Sequence, residues 1–189
     1  KVREFFAFAM IRFESRFLRG TYKDEVTINM IKTIPSQVDK AYTLFDCSIF
    51  EIMWAQRKRY PHLPIPIPLA LIIKELVRKN AAKTPNLLDL PSDNNRVEHI
   101  ASIMLNDHKL IESLNVGDLM GLLKNWLLSI SDPLISRSTY NNFLHYENPV
   151  EYTNCMPSAH RESLKFLVGF WQDIINNDEA NNSTGSKLA

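Results

Sequence analysis

The strongest constraint on the fold is a helical spacing of large apolar residues that recurs along the chain. Val116–Leu128 shows the spacing best, since its apolar residues fall three or four positions apart: Leu119, Leu122, Leu123, Trp126 and Leu127. That spacing places them on one helical face. Further helices are predicted at Val2–Leu18, Leu69–Val77, Arg96–Asn106, Thr139–Tyr146 and Ser158–Ile175, and Phe45–Met53 is predicted to be a turn that leads into a helix. No segment alternates as a strand would, so the sequence predicts an all-α helical bundle.

Polar residues and prolines mark where several of these helices begin. Ser48 followed by Glu51 has the spacing of a capping box, and Ser158 is the expected cap of the last helix. Prolines at positions 61, 64, 66 and 68 predict an extended course for residues 57–68. This course is a rigid lead-in to the next helix, whose first turn contains Pro68; the alternative is a free PxxP ligand for an SH3 domain.

Composition excludes several classes of function. The 22 basic and 21 acidic residues nearly balance, so no nucleic-acid partner is expected. The two cysteines, Cys47 and Cys155, are too few and too far apart for a metal site or a disulfide framework. A cytoplasmic protein is therefore expected, recruited to membranes, if at all, through other domains. No apolar run is long enough to cross a membrane. Since the first residue is Lys1, we expect a piece of a longer protein.

The catalytic inventory is thin. The five glycines are scattered and form no phosphate-binding loop. The five histidines never fall beside carboxylates at metal-ligand spacing, and no GxSxG nucleophile motif is present. We expect no metal and no cofactor. From the residues alone, the chain reads as a helical interaction module.

One stretch is more specific. Residues 115–140 read NVGDLMGLLKNWLLSISDPLISRSTY, and this stretch resembles the RhoGAP (Rho GTPase-activating protein) family. The family has a helix ending in "LLKxYLREL", a "PEPLI" stop, and a short helix with a tyrosine. Here the matching positions are held without a gap by Gly121–Lys124, Leu127, Asp132–Ile135 and Tyr140.

Three further segments agree with the family in the same order: Phe45–Met53, Ile67–Leu76 and Met156–Asp173. The resemblance implies a RhoGAP-like domain over residues 44–189. Residues 1–43 lie outside it and are predicted to be an N-terminal helical extension. The family fold continues beyond the position of Ala189, so its C-terminal part is expected to be missing from this chain.

The resemblance also implies where a catalytic arginine would lie. Family members insert an arginine finger from a "GIFRxxG" loop, and a finger supplied in trans accelerates GTP hydrolysis by about 10³–10⁵. The corresponding stretch here is Asn86–Ser92, with its register set by Pro91 and Arg96. Asp89 falls at the finger position. An aspartate would bring negative charge toward phosphates, so the resemblance predicts no catalytic residue in this chain.

Other GTPase-facing positions of the family also carry over. Lys124 keeps the family's lysine, whereas Leu128 stands where the family has an arginine that supports the finger loop. Lys187 stands where the family has an asparagine that contacts the GTPase. Arg96 is the alternative candidate for a displaced finger.

Taken with the resemblance, these positions predict a module that is not itself an enzyme. Its expected partner is a Rho-type small GTPase, bound without stimulated hydrolysis, or else another signalling protein or a neighbouring domain of the same chain. Two alternatives stay open: a working activator that uses Arg96, and a structural or self-association module built on residues 1–43.

Overall fold

The computed structural model describes residues 45–104, 109–135 and 153–177. Its helices are α1 (Ile49–Gln56), α2 (Ile67–Arg78), α3 (Asn94–Ile103), α4 (Lys109–Glu112), α5 (Val116–Ser129) and α6 (Ser158–Asn176). Two 3₁₀ turns, Ala81–Lys83 and Leu87–Asp89, lie between α2 and α3. The described residues contain no strand, which confirms the prediction of an all-α fold.

Helix α1 begins and ends on the polar residues that its sequence provides. The Ser48 hydroxyl accepts the Glu51 N–H at 3.2 Å, and the Glu51 carboxylate accepts the Ser48 N–H at 2.7 Å, so the predicted capping box is present. At the other end, the buried Gln56 amide donates to the Ile65 carbonyl at 2.7 Å and accepts the Ile67 N–H at 2.8 Å. Gln56 thereby ties the proline-rich segment to the first residue of α2.

Helix α2 is the centre of the core. Its first turn contains Pro68, as predicted, and nine of its twelve residues are buried. A helix that is apolar on nearly every side must be enclosed by other elements. Among the buried residues of α2, Glu75 carries the charged side chain. Burial alone would raise the pKa of its carboxyl, but hydrogen bonds and charge from Arg78, with the charge of Lys79, lower that pKa instead.

Helix α5 packs against both α2 and α3, and α6 packs against α1 and the first 3₁₀ turn. The core face of α5 is made of the residues that the sequence pattern predicted: Leu119, Leu122, Leu123 and Trp126, all at most 1% exposed. Leu127, predicted on the same face, is only partly buried. The α2–α5 pair therefore forms the scaffold to which the α2–α3 connection is attached.

Some predicted boundaries need correction. Ser158 is the first residue of α6 and not its cap; Pro157 precedes the helix and makes no side-chain cap bond. Helix α3 begins at Asn94, two residues earlier than predicted, because Asp93 caps it. The predicted helices Val2–Leu18 and Thr139–Tyr146 lie outside the described residues. Within the described ranges, none of the helices combines the length and apolar content that a membrane span requires.

Candidate functional site

The connection between α2 and α3 carries Asp89, the position that the sequence comparison marked. The connection turns at Asn80 and Asn86, both in the left-handed region at φ 54° and 52°. Asparagine tolerates this conformation better than most residues with a side chain. Just after Asn86, Leu87 is fully buried and anchors the second 3₁₀ turn in the core. Two residues beyond that anchor, Asp89 is exposed at the end of the turn.

Lys124 holds this 3₁₀ turn against α5. Its ammonium donates to the Leu88 carbonyl at 2.8 Å, across 36 positions of sequence. A charge-assisted bond of this kind fixes the backbone next to Asp89. Lys124 and Asp89, which are far apart in sequence, are thus brought close together through the residue before Asp89.

Two glycines on α5 let the next part of the connection lie directly on the helix. A Cβ atom on Gly117 would lie 2.2 Å from the Pro91 carbonyl oxygen, and one on Gly121 would lie 2.8 Å from the Ser92 Cβ. Both distances are shorter than van der Waals contact. Since Gly117 and Gly121 are four residues apart, they lie on one helical face, and that face receives residues 91–92.

Asp118 is a buried anchor for the end of the connection. Its side chain is 2% exposed. The carboxylate accepts the Asp93 N–H at 3.0 Å and the Asn115 amide at 2.9 Å, and the Arg96 guanidinium lies 3.5 Å away. A buried carboxylate requires such partners. It also lies in the first turn of α5, where the helix dipole favours negative charge. Asp118 therefore joins the start of α3 to the start of α5.

Arg96 is committed to this anchor. Besides lying near Asp118, the Arg96 guanidinium donates to the Ser113 carbonyl at 3.2 Å. The backbone N–H of Arg96 donates to the capping carboxylate of Asp93 at 3.2 Å. The side chain stays 44% exposed. Arg96 thus braces α3 against the residues before α5, although its outer atoms contact solvent.

Leu128 lies one turn beyond Lys124 on the same face of α5, by the spacing of positions 117, 121, 124 and 128. It is 67% exposed, so this end of the face is apolar and open to solvent. Lys187, the remaining sequence candidate, lies outside the described residues.

The structure gives roles to three residues that were not among the candidate site residues: Gly117, Asp118 and Gly121, the last of which was noted only as a position shared with the family pattern. The signal for the glycines was their four-residue spacing inside the strongest predicted helix. Asp118 follows the cap residue Asn115 by three positions, which is the spacing of a capping box. In the part of the chain that is described, no three His, Cys, Asp or Glu side chains are grouped as metal ligands.

Comparison with known proteins places this geometry in context. The family model of the RhoGAP domain matches residues 66–189. GTPase activating protein homolog 3 of Dictyostelium discoideum is 26% identical over 138 residues, covering 69% of this chain and 10% of that protein. Rho GTPase-activating protein 18 of Mus musculus is 24% identical over 162 residues, covering 77% of this chain and 24% of that protein.

A solved structure agrees at the level of the fold. The crystal structure of human Rho GTPase activating protein 15 superposes with a TM-score of 0.63 at 14% sequence identity, covering 83% of this chain and 76% of that chain. The chain spans 10% and 24% of the length of the two curated relatives described above. The relatives therefore inform on this domain and not on a whole protein.

Proposed function

Because the chain belongs to the RhoGAP domain family, whose members activate Rho-type GTPases, we propose that it binds such a GTPase without stimulating GTP hydrolysis. It would act as a protein-interaction module in Rho GTPase signalling in the cytoplasm. The alternative partner is another signalling protein or a neighbouring domain that uses the same face. The observation that supports the proposal is that Asp89, which the resemblance puts at the arginine-finger position, is exposed.

The sign of the charge at this position is the first argument. Phosphoryl transfer develops negative charge that a finger arginine offsets, and the finger is worth about 10³–10⁵ in rate. A carboxylate at the same place would repel that negative charge and so destabilise the transition state. The Leu88 carbonyl bound by Lys124 belongs to the residue before Asp89, so the lysine is already engaged in holding the loop. We therefore do not expect Lys124 to replace the finger arginine as a cation at the end of the 3₁₀ turn.

The packing of the loop is the second argument. Lys124, Gly117 and Gly121 keep residues 88–92 against α5. The shape of the loop that would face a GTPase is therefore held, even though its charge differs from that of an arginine-finger loop. Loss of a finger removes stabilisation of the transition state but leaves ground-state contacts intact. Binding without activation is the expected combination.

An activator that uses Arg96 instead is the competing hypothesis. For that role the guanidinium would have to leave both Asp118 and the Ser113 carbonyl. That movement would leave the buried Asp118 carboxylate without its cation, which costs stability. This cost favours a bracing role for Arg96 over a catalytic one.

The test is stimulated GTP hydrolysis by Rho-, Rac- and Cdc42-type GTPases, together with pull-down in both nucleotide states. We expect the unaltered chain to bind at least one GTPase and to accelerate hydrolysis by less than about tenfold, far below the effect of a finger. Asp89→Arg is expected to raise the rate of the bound GTPase well above that level. Asp89→Ala is the matched control, because it removes the carboxylate without adding a cation.

Two results would overturn the proposal. Strong acceleration by the unaltered chain that is lost in Arg96→Ala would establish an active domain with an unconventional finger. Failure to bind any GTPase in either nucleotide state would leave the RhoGAP fold in place but assign the face to a different partner.

A further inference from the structure

Helix α1 exposes two large aromatic side chains that the core does not use. Phe50 is 71% exposed and Trp54 is 57% exposed, and their rings stack with centroids 6.3 Å apart and planes 25° from parallel. The opposite face of α1 is buried through Ile49, Ile52 and Gln56. The fold is therefore satisfied by one face of this helix, and the stacked aromatic pair is presented outward.

Basic residues follow the aromatic pair directly. The Arg57 guanidinium carbon lies 3.1 Å from the centroid of the Trp54 ring, a cation–π arrangement. Lys58 and Arg59 are also exposed. The acidic Glu51 on the same helix is engaged by Ser48 in the capping box. We call Phe50, Trp54, Arg57 and Lys58 the aromatic–cation face.

The aromatic–cation face combines exposed apolar area with positive charge, and this combination indicates the kind of partner that it fits. The whole chain carries a formal net charge of only +1, so adjacent cations at positions 57–59 are a local concentration. Exposed aromatic rings favour the boundary between lipid headgroups and acyl chains, and neighbouring lysine and arginine side chains favour anionic headgroups. An apolar protein groove would take the rings but would gain nothing from the cations.

We propose that the aromatic–cation face binds the surface of an anionic membrane. Phe50 and Trp54 enter the interfacial layer, and Arg57 and Lys58 contact anionic lipid headgroups. The face lies on α1, which is separate from the loop on α5, so this inference does not rest on the proposed GTPase binding. It gives the domain itself a membrane contact, where the sequence analysis expected recruitment only through other domains.

Trp54 provides a direct probe, because the other two tryptophans, Trp126 and Trp171, are 0% and 2% exposed. The experiment mixes the full chain with phosphatidylcholine vesicles, with and without phosphatidylserine, and measures co-sedimentation and tryptophan fluorescence. Brominated acyl chains in the vesicles report the depth of the ring. Iodide in solution reports whether Trp54 is accessible before vesicles are added.

We expect binding only when phosphatidylserine is present, weakened by salt because the headgroup contacts are screened. Brominated lipid should quench Trp54, and the quenching should be absent in Trp54→Phe. Lys58→Glu removes one cation and adds an anion, so it should weaken binding by at least about fivefold. Phe50→Ser with Trp54→Ser should abolish binding while leaving far-ultraviolet circular dichroism unchanged. Val77→Ser is the matched control, since it alters an exposed apolar residue on α2.

Three outcomes would overturn the inference. Equal binding to vesicles with and without phosphatidylserine would remove the role of charge, and full binding by the Phe50→Ser/Trp54→Ser variant would remove the role of the face. Protection of Trp54 from iodide in the absence of vesicles would show that another segment of the chain or a second copy covers it.

Discussion

The two faces of α5 are built by different rules. The core face carries Leu122 and Trp126 and is almost wholly shielded from water. The loop face accepts the α2–α3 connection through close approach at Gly117 and Gly121 and through hydrogen bonds made by Asp118 and Lys124. An apolar core accepts other side chains of similar volume, whereas a close approach at glycine does not accept a larger residue. Asp89 and Leu128 are both exposed, so substitutions at these two positions are expected to leave the scaffold in place.

Leu122→Ala should produce the largest loss of stability, because it empties a fully buried site on the core face of α5. Removing a buried leucine side chain costs about 2–5 kcal/mol of unfolding free energy. Urea denaturation followed by circular dichroism measures it. A loss below about 1 kcal/mol would mean that the core face is not as tightly packed as its burial indicates.

Gly117→Ala tests the loop face at its tightest point. Alanine ordinarily stabilises a helix interior by about 1 kcal/mol relative to glycine, but here the new Cβ would meet the Pro91 carbonyl at 2.2 Å. We expect a net destabilisation of about 1–3 kcal/mol by urea denaturation, as for other overpacked sites.

Gly121→Ala is the control for that close approach, since its Cβ would meet the Ser92 side chain and not backbone. Ser92→Gly should relieve the Gly121→Ala variant and leave the Gly117→Ala variant unchanged. If Gly117→Ala proves stabilising, the connection does not lie on α5 in the way described.

Asp118→Ala should cost less than Leu122→Ala but should act locally. Loss of the carboxylate leaves the partly buried Asp93 N–H without its acceptor, and such a donor left unsatisfied costs up to about 1–3 kcal/mol. The amide of Asp93 should then exchange with solvent faster in hydrogen-exchange experiments. Glu98→Ala removes an exposed acid on α3 and should leave that exchange rate unaltered; equal effects of the two variants would dismiss the anchor.

Leu128→Ala should have the smallest effect on stability, within about 0.5 kcal/mol, because the side chain is 67% exposed. Comparison with Leu122→Ala on the same helix separates burial from residue type. Leu128→Arg should be equally neutral for folding. Combined with Asp89→Arg, it is expected to increase stimulated GTP hydrolysis further, and a large loss of stability in either Leu128 variant would place this residue in the core.

Much of the fold could be predicted from local patterns. The apolar spacing over Val116–Leu128 identified the core face of α5, and Ser48 with Glu51 identified the start of α1. These features are encoded within a few residues, so periodicity and capping are sufficient to find them. The predicted cap of α6 was wrong because Ser158 and the preceding Pro157 are both compatible with a helix start. The backbone conformation decides between them, and it places Ser158 inside the helix.

The candidate site could be predicted only in part. Alignment to the RhoGAP pattern selected Asp89 and Lys124, and the structure places Lys124 on the residue next to Asp89. The role of Asp118 was not visible, because its partners Asp93 and Arg96 are more than twenty positions away along the chain. Arg96 likewise appeared as an isolated cation in the sequence.

By itself, the sequence determined the helical class and the apolar faces of the helices, and the resemblance to the RhoGAP family added the prediction that Asp89 occupies the arginine-finger position. Each of these depends on residue type and short-range spacing. Only the tertiary structure decided that Gly117 and Gly121 admit the loop, that Asp118 binds both Asp93 and Arg96, and that Phe50 and Trp54 point outward. Such contacts join residues far apart in the chain, and the packing of helices determines which of them meet.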